Sequence, residues 1–156
     1  MKKGMERIIV CMVIATMFLT GCGGSGKKEC ENVLEEFQYA CNNVDVNSML
    51  ECIDPNVADP IKILIASTGE DPDECLEYLS EAILYDLSAD GGNVDEMLAS
   101  IVIAPEEIEV EDNYAVAYCR VSCVINGVDV VRFADIEMKT HDESWYITNL
   151  FFVDER

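Results

Sequence analysis

Basic residues are scarce in this chain of 156 residues, which contains ten lysines and arginines against 31 aspartates and glutamates. The formal net charge is −21, so the chain offers no basic patch for a phosphate backbone, which argues against nucleic-acid binding. Only one histidine, His141, is present and no Cys-x-x-Cys pair occurs, so a zinc site is not expected. The densest acidic segment, residues 70–74, lacks the oxygen spacing of an EF-hand loop, and we predict no metal site and no cofactor. Half of the residues are hydrophobic, which predicts one globular domain and argues against wholesale disorder.

Long apolar runs are also absent, because no stretch reaches the roughly 18 residues that a membrane-spanning helix needs. The most apolar run, residues 8–20, has 13 uncharged residues and follows a short basic segment that contains Lys2, Lys3 and Arg7. This order of a basic and a short apolar segment is typical of a secretory signal peptide. The alternative is the hydrophobic N-terminus of a cytosolic protein.

The sequence Leu19-Thr20-Gly21-Cys22 ends this run and resembles a bacterial lipobox. The resemblance implies that residues 1–21 are removed and that Cys22 receives a diacylglycerol thioether, which holds a protein on the membrane. We therefore predict a bacterial lipoprotein, anchored at the extracytoplasmic face of the cell membrane. Residues 22–29 are glycine-rich and predict a flexible, lipidated tether. The processed chain carries 30 acidic and seven basic residues, a net charge of −23.

Six cysteines remain in the processed chain besides the acylated Cys22, an even number that suggests disulfides in an exported protein. The first two lie eleven residues apart in a predicted helix and the last two lie four residues apart in a predicted strand. Neither pair meets the Cα limit of about 7 Å for a disulfide. The pairing is otherwise open, and free, buried thiols are the alternative. The six are Cys30, Cys41, Cys52, Cys75, Cys119 and Cys123.

Helical periodicity dominates the first half of the domain. An apolar stripe at helical spacing runs through residues 33–44, and Asp45 is suited to cap a second, short helix. The Asp59-Pro60 pair predicts the start of a third helix, because proline fits the first helical position, and Gly69 predicts its end. The Asp71-Pro72 pair predicts the start of a fourth helix.

After residue 101 the hydrophobic period changes to two, which indicates strands. The predicted strands are 106–110, 114–125, 128–139 and 145–153. Asn126-Gly127 separates the middle two and is the typical sequence of a two-residue hairpin turn. Residues 93–100 predict one more short helix before the strands. Helices followed by an antiparallel meander predict an α+β fold in which the sheet keeps one polar face.

Two groups of residues resemble the nuclear-transport-factor-2-like (NTF2-like) superfamily, also called cystatin-like or SnoaL-like. The first is Val33–Phe37 together with Met49–Pro55, and the second is Asp142–Ile147. The resemblance, which is strongest to small bacterial lipoproteins of unknown function, covers about residues 30–153. It implies that residues 30–156 form one domain, with a helical insertion near 57–88. The implied architecture is a cone, in which the N-terminal helices pack on a curved, antiparallel C-terminal sheet. In some members of the superfamily this cone encloses an apolar pocket.

The function predicted from these observations is a membrane-anchored binding or interaction module without catalytic activity. Its partners would be the membrane, through the lipid on Cys22, and either a small apolar ligand or another envelope protein. Phe37, Trp145 and Ile147 are candidates for the wall of a pocket, and ordinary core packing is their alternative. A hollow cone would favour the small ligand, whereas a filled cone with an exposed apolar patch would favour a protein partner.

A small enzyme of the isomerase or dehydratase type is the alternative that the resemblance implies. Such enzymes use a carboxylate or histidine base inside the cone. His141 lies in a predicted polar turn, and Asp135 shares the polar face of its strand, so neither is expected to point inward. A β-bulge, which would shift the register of the strand by one residue and turn Asp135 inward, is the alternative. Tyr39 and Tyr118 are candidate hydrogen-bond donors, but the sequence places no acid beside them. We therefore predict no catalytic residues.

Overall fold

The structure of the protein is a computed structural model that describes residues 24–69 and 93–156. The signal peptide, Cys22, Cys75 and the helix predicted from Asp71-Pro72 lie outside these residues. The described helices are α1 (Gly24–Asn42), α2 (Val46–Glu51), α3 (Pro55–Thr68) and α4 (Val94–Ser100). The strands are β1 (Val102–Glu111), β2 (Tyr114–Ile125), β3 (Val128–His141) and β4 (Ser144–Val153). Helices followed by strands confirm the predicted α+β class.

The caps of α2 and α4 explain why both short helices begin where the sequence predicts. Asp45 accepts hydrogen bonds from the amide and the hydroxyl of Ser48, at 3.1 and 2.7 Å. The hydroxyl bond, followed by the amide bond, lowers the pKa of Asp45 below its ordinary value. Asn93 caps α4 in the same way, because its side-chain oxygen accepts from the amide of Asp95 at 2.9 Å. Each cap satisfies amides that have no partner within the helix.

The predicted start of the third helix is wrong, because α3 begins at Pro55 rather than at Pro60, which lies inside it. Asp54-Pro55 carries the same start signal five residues earlier, and its aspartate is fixed in two ways. The Asp54 carboxylate accepts from the amide of Asn56 at 2.8 Å, and its own amide donates to the carbonyl of Ile147 at 2.9 Å. The predicted end is confirmed, since Gly69 adopts a positive φ of 71° after the last turn.

Replacing Asp54 with alanine is expected to lower the free energy of unfolding by about 1 kcal/mol, the usual cost of losing such a cap. Urea denaturation followed by circular dichroism measures the change. Asp59→Ala is the matched control, because Asp59 is exposed and lies within the same helix. Equal losses in the two variants would contradict the assignment of Asp54 as the cap.

The four strands form one antiparallel sheet in the order β1-β2-β3-β4. Asn126 and Gly127, with φ of 54° and 73°, form the turn between β2 and β3 and confirm the predicted hairpin. β1 is longer than predicted and contains Pro105, which lies at a β-bulge. Proline is tolerated there because β1 is an edge strand and a bulge does not need every amide.

One face of the sheet packs against the helices and is called the inner face below; the opposite one is the outer face. Along β2 and β3, alternate residues point inward, as the period of two predicts. They form a core with Cys30 and Leu34 of α1, and the predicted apolar faces of both strands are thereby confirmed. The most buried inner-face residues are Ala115, Ala117, Cys119, Ala134, Ile136 and Met138.

The flexible tether predicted at 22–29 is wrong for residues 24–29, because α1 already begins at Gly24. Glycine is needed at position 26, where the helix approaches the sheet closely. A Cβ atom there would lie 3.2 Å from Cγ1 of Val110 and 3.6 Å from Cζ2 of Trp145. The Trp145 indole also donates a hydrogen bond to Glu29 at 3.1 Å. These contacts compensate for the low helix propensity of the glycines.

Side chains also tie the helices to the sheet at the other end of α1. The amide nitrogen of the Asn42 side chain donates to the carbonyls of Leu98 and Ile101, both at 3.0 Å. The Gln38 side chain accepts from the amide of Ile103 at 2.6 Å. α1 is therefore fixed to the sheet at both ends. No helix within residues 24–69 or 93–156 is long and apolar enough to cross a bilayer.

Candidate interaction surface

The interior between α1 and the sheet is occupied by packed side chains. Leu34 from α1 and Ile136 and Met138 from β3 are among the largest fully buried side chains. Trp145 and Ile147, two of the candidate pocket residues, are buried in the same core. The third, Phe37, is partly buried and packs against this core and the neighbouring one below α4. In the described part of the cone, all three residues therefore pack as core side chains.

Asp135, the strongest sequence candidate for a catalytic base, lies on the outer face. Its partners in the register are Tyr118 on β2 and Phe151 on β4. Arg156 donates a hydrogen bond to Oδ2 of Asp135, and the Arg156 guanidinium lies 4.6 Å from the centroid of the Tyr118 ring. The paired carboxylate is thus held by a cation on the face opposite to the core.

Two of the other candidates for catalysis, His141 and Tyr39, are exposed, whereas Tyr118 is buried beside Asp135 on the outer face. His141 lies at the end of β3, next to the turn, where its Nε2 is 3.6 Å from a carboxylate oxygen of Asp142. Tyr39 is 72% exposed on α1. Neither residue is enclosed by apolar side chains, as a catalytic acid or base inside the cone would be.

A solvent-open groove of about 550 Å³ lies between α1 and α2. Three glutamates line it, together with neutral polar side chains and one thiol. The lining residues are Asn32, Glu35, Glu36, Tyr39, Ser48, Glu51 and Cys52. Because three carboxylates line it and it is open to solvent, the groove is not suited to enclose an apolar ligand.

All five described cysteines are free thiols in this structure. Burial raises the pKa of Cys41 and Cys119 to about 12 and that of Cys30 and Cys52 to about 11, with smaller contributions from neighbouring negative charges. Cys123 is only half-buried, and its pKa is raised by burial but lowered by Arg132. The structure agrees that neither Cys30–Cys41 nor Cys119–Cys123 can form a disulfide, because the first two residues lie in the same helix, α1, and the last two in the same strand, β2. Disulfides between other pairs stay a prediction.

In the folded protein, iodoacetamide at pH 8 is expected to alkylate Cys123 first among the described cysteines. Only the thiolate reacts with iodoacetamide. At pH 8, a cysteine with a pKa of 11 or 12 is in the thiolate form in about one molecule in a thousand or fewer. Arg132→Gln should slow the reaction, because it removes the charge that lowers the pKa of Cys123. Peptide mass spectrometry measures the order of labelling, and faster labelling of Cys119 than of Cys123 would contradict this expectation.

The same reagent tests the disulfide prediction on denatured, unreduced protein. Each free thiol of the processed chain takes one label, whereas each disulfide removes two. Six labels would contradict disulfide formation.

A mixed aromatic and charged surface lies on the outer face and is called the outer-face patch. The buried Tyr118 and the half-buried Phe133 stack beneath it, with ring centroids 5.6 Å apart and an interplanar angle of 9°. Phe151 on the edge strand β4 is 48% exposed and extends the apolar area. The members of the patch are Tyr118, Arg120, Phe133, Asp135, Phe151 and Val153, which pair with one another across β2, β3 and β4.

The same end of β4 also exposes apolar side chains toward the inner side. Leu150 and Phe152 are 40% and 51% exposed, although they pair with the fully buried Ile136 and Ala134. The shift in register between Glu137 and Met138 marks the point at which β4 leaves the cover of the core. An edge strand that exposes apolar side chains on both of its faces is a surface against which another protein can pack.

Comparison with solved structures identifies the architecture. A protein of unknown function from Shewanella oneidensis MR-1, described as NTF-2 like, superposes with a TM-score of 0.55 at 12% sequence identity. The match covers 83% of this chain and 99% of that one. The fold is NTF2-like. A variant named Rd1NTF2 matches similarly, with a TM-score of 0.54 at 12% identity, over 83% of this chain and 100% of its own.

These similarities establish the NTF2-like fold of the domain and nothing about its activity. No family model and no curated protein sequence matches the chain. The predicted cone of helices on a curved antiparallel sheet is confirmed by the structure and its neighbours. The function of this NTF2-like domain therefore has to be argued from its own residues.

Sequence reasoning missed the outer-face patch as a unit. The signal was present, because a two-residue Asn126-Gly127 turn fixes the register between β2 and β3. That register places Tyr118 beside Asp135 and Arg120 beside Phe133. The contribution of Arg156, which lies beyond the last strand, had no such signal.

Proposed function

We propose that this chain is a lipid-anchored, extracytoplasmic interaction module of the bacterial envelope that binds another protein and catalyses no reaction. The observation that carries the proposal is the combination of a packed interior with the exposed apolar side chains of Leu150, Phe151 and Phe152 at the end of β4. A filled cone leaves little room for a small apolar ligand between α1 and the sheet. An exposed patch rich in aromatic and arginine residues is typical of protein interfaces.

The chemistry of the described residues supports the non-catalytic part of the proposal. Asp135 is paired with Arg156 on the outer face, and His141 is exposed beside a turn. The buried thiols are protonated at neutral pH, since their pKa values lie near 11 or 12. An enzyme of this fold would need a polar group enclosed by apolar side chains, and these residues do not supply one.

The anchoring part of the proposal rests on the lipobox resemblance at Cys22. A diacylated cysteine keeps a protein on the membrane more firmly than one acyl chain does. The net charge of −23 on the processed chain opposes unspecific contact with anionic surfaces, so recognition would depend on a local, less acidic patch. The outer-face patch meets that requirement, because it contains Arg120 and lies beside Arg156, which covers Tyr118.

Site-specific photo-crosslinking in intact cells tests the proposal. A photoreactive amino acid at Phe151 is expected to give a discrete adduct, and the additional substitution Arg120→Glu should abolish it. The same amino acid at Glu109, on the outer face of β1 away from the patch, is the control and should give none. Failure to form any adduct from Phe151, with the protein correctly folded and localised, would contradict the proposed function.

A further inference from the structure

We propose that the end of β4 binds an extended segment of the protein partner, which pairs with residues 149–153 and joins the sheet as an added antiparallel strand. This step rests on the proposed function, because it states which part of the partner the exposed end of β4 recognises. Residues 149–153, together with their backbone groups that point away from β3, are called the free edge.

The two edges of the sheet differ in how well they are protected against another strand. β1 contains Pro105 at a β-bulge and four exposed glutamates. Prolines, bulges and charges are the features by which proteins keep an edge strand from pairing with another chain. The free edge of β4 has the sequence Asn-Leu-Phe-Phe-Val, which contains no charge and no proline. The edge at β1 is therefore protected against strand addition, whereas the edge at β4 is not. The four glutamates are Glu106, Glu107, Glu109 and Glu111.

The first half of β4 already pairs with a short extended segment of this chain. The amide of Ile147 donates to the carbonyl of Cys52, and the carbonyl of Ile147 accepts from the amide of Asp54, both at 2.9 Å. These bonds form a parallel bridge between Ile53 and Ile147 on the side of β4 that points away from β3. The bridging segment ends there, because Pro55 begins α3. This side of β4 can therefore form a strand pair, and the chain itself uses only its beginning.

A β-bulge decides which backbone groups point outward on the free edge. The register between β3 and β4 shifts at Thr148, which is the extra residue. Backbone groups alternate between the two sides of a strand, so the extra residue moves the outward set to Leu150 and Phe152. The amide of Leu150 agrees with this assignment, because it donates to the side-chain oxygen of Asn149 at 3.0 Å. Within the described part of the chain, no backbone group from outside the sheet pairs with Leu150 or Phe152.

These outward groups and the side chains beside them are suited to an extended, apolar occupant. An antiparallel strand exchanges two main-chain hydrogen bonds with each of Leu150 and Phe152, about four in total. Leu150 and Phe152 are 40% and 51% exposed toward the inner side, and Phe151 is 48% exposed toward the outer side. Apolar side chains of the added strand would cover them on both faces. A helix would cover the same side chains but could not pair with the backbone groups.

The residues after β4 indicate the charge of the occupant. Asp154 and Glu155 follow the free edge and are both exposed. In an antiparallel strand, the residues that precede the apolar run lie opposite these two carboxylates, where lysine or arginine matches their charge. A second copy of this chain is an unfavourable occupant, because two chains with a net charge of −23 repel each other. The proposed occupant is therefore an apolar, extended segment of a different protein, preceded by basic residues.

Fluorescence anisotropy of a labelled peptide, with the full chain in a non-ionic detergent, tests strand addition. The probe is the peptide Lys-Lys-Thr-Val-Val-Val-Thr, which is expected to bind with a Kd below about 1 mM. The same peptide with all its valine amides methylated keeps its side chains but loses these donors, and should bind at least about ten-fold more weakly. No binding of the first peptide, or equal binding of the two, would overturn the inference.

Proline at position 150 applies the same test to the chain itself. Leu150→Pro removes an outward amide without removing a hydrogen bond to β3, and should weaken binding of the peptide at least about ten-fold. Leu150→Ala is the matched variant, because it truncates the same side chain but keeps the amide, and should weaken binding only about two-fold. Equal losses in the two folded variants would overturn the inference. Circular dichroism verifies folding, and the methylated peptide still decides the question if Leu150→Pro does not fold.

Photo-crosslinking from Phe151 separates this inference from the proposed function. An adduct with a different protein that is lost in the Leu150→Pro chain supports strand addition. An adduct that persists in the folded Leu150→Pro chain would overturn strand addition and leave the proposed function standing. An adduct of twice the chain mass would also overturn the inference, because a second copy would then occupy the free edge. A crosslink from Phe151 to residues 70–92 of its own chain would overturn both proposals.

Discussion

Ile136→Ala is expected to lower the free energy of unfolding by about 3 to 4 kcal/mol, a large share of the 5 to 15 kcal/mol that a domain of this size has. Ile136 lies in the middle of β3 and is fully buried, next to Ala117 of β2. Truncation removes apolar contacts and leaves a cavity, because α1 is fixed at both ends and cannot collapse onto the sheet.

The matched control for this prediction is Leu150→Ala. Leu150 pairs directly with Ile136 across β3 and β4, but it is 40% exposed. Its truncation is expected to cost less than about 1 kcal/mol. Urea denaturation measures both variants. Similar losses for the two would mean that the exposed end of β4 is part of the core, which would remove the apolar surface on which the proposed function depends.

Cys22→Ser is expected to abolish acylation completely and to leave residues 1–21 attached to the chain. The lipobox peptidase acts on a modified cysteine, as the resemblance implies, so the substitution should stop both steps. Metabolic labelling with an alkyne fatty acid, together with the intact mass, measures the two outcomes. Cys11→Ser is the control, because Cys11 lies within the predicted signal peptide and should not matter for either step. Persistent fatty-acid label on the Cys22→Ser chain would contradict the predicted anchor.

Local sequence signals predicted most of the fold because each acts over a few residues. Asn126-Gly127 fixed a turn with two positive φ values, and the period of two identified the buried faces of β2 and β3. The predictions failed where tertiary contacts outweigh local signals. The glycines before residue 29 predicted a tether, but their helix is held by Val110 and Trp145, which are distant in the sequence.

The two Asp-Pro pairs near α3 show the same limit. Asp54-Pro55 and Asp59-Pro60 carry equal local signals, and the hydrogen bond from the Asp54 amide to the carbonyl of Ile147 in β4, which is distant in the sequence, favours the first. The interaction surface was harder to predict than the fold. Its β2–β3 part follows from the hairpin register, whereas the position of Arg156 over Tyr118 depends on how the chain returns after β4. The outward orientation of Asp135 was predicted correctly from its parity in β3.

The start of α1 at Gly24 limits the orientations that the domain could adopt at a membrane surface if Cys22 is lipidated. Only Gly23 separates Cys22, the predicted site of lipidation, from a helix that is packed on the sheet, so chain geometry keeps the two Cα atoms of Cys22 and Gly24 within about 8 Å. An acylated chain would then have little freedom to tumble, and the ends of the strands near Val110 and Trp145 would face the lipid headgroups.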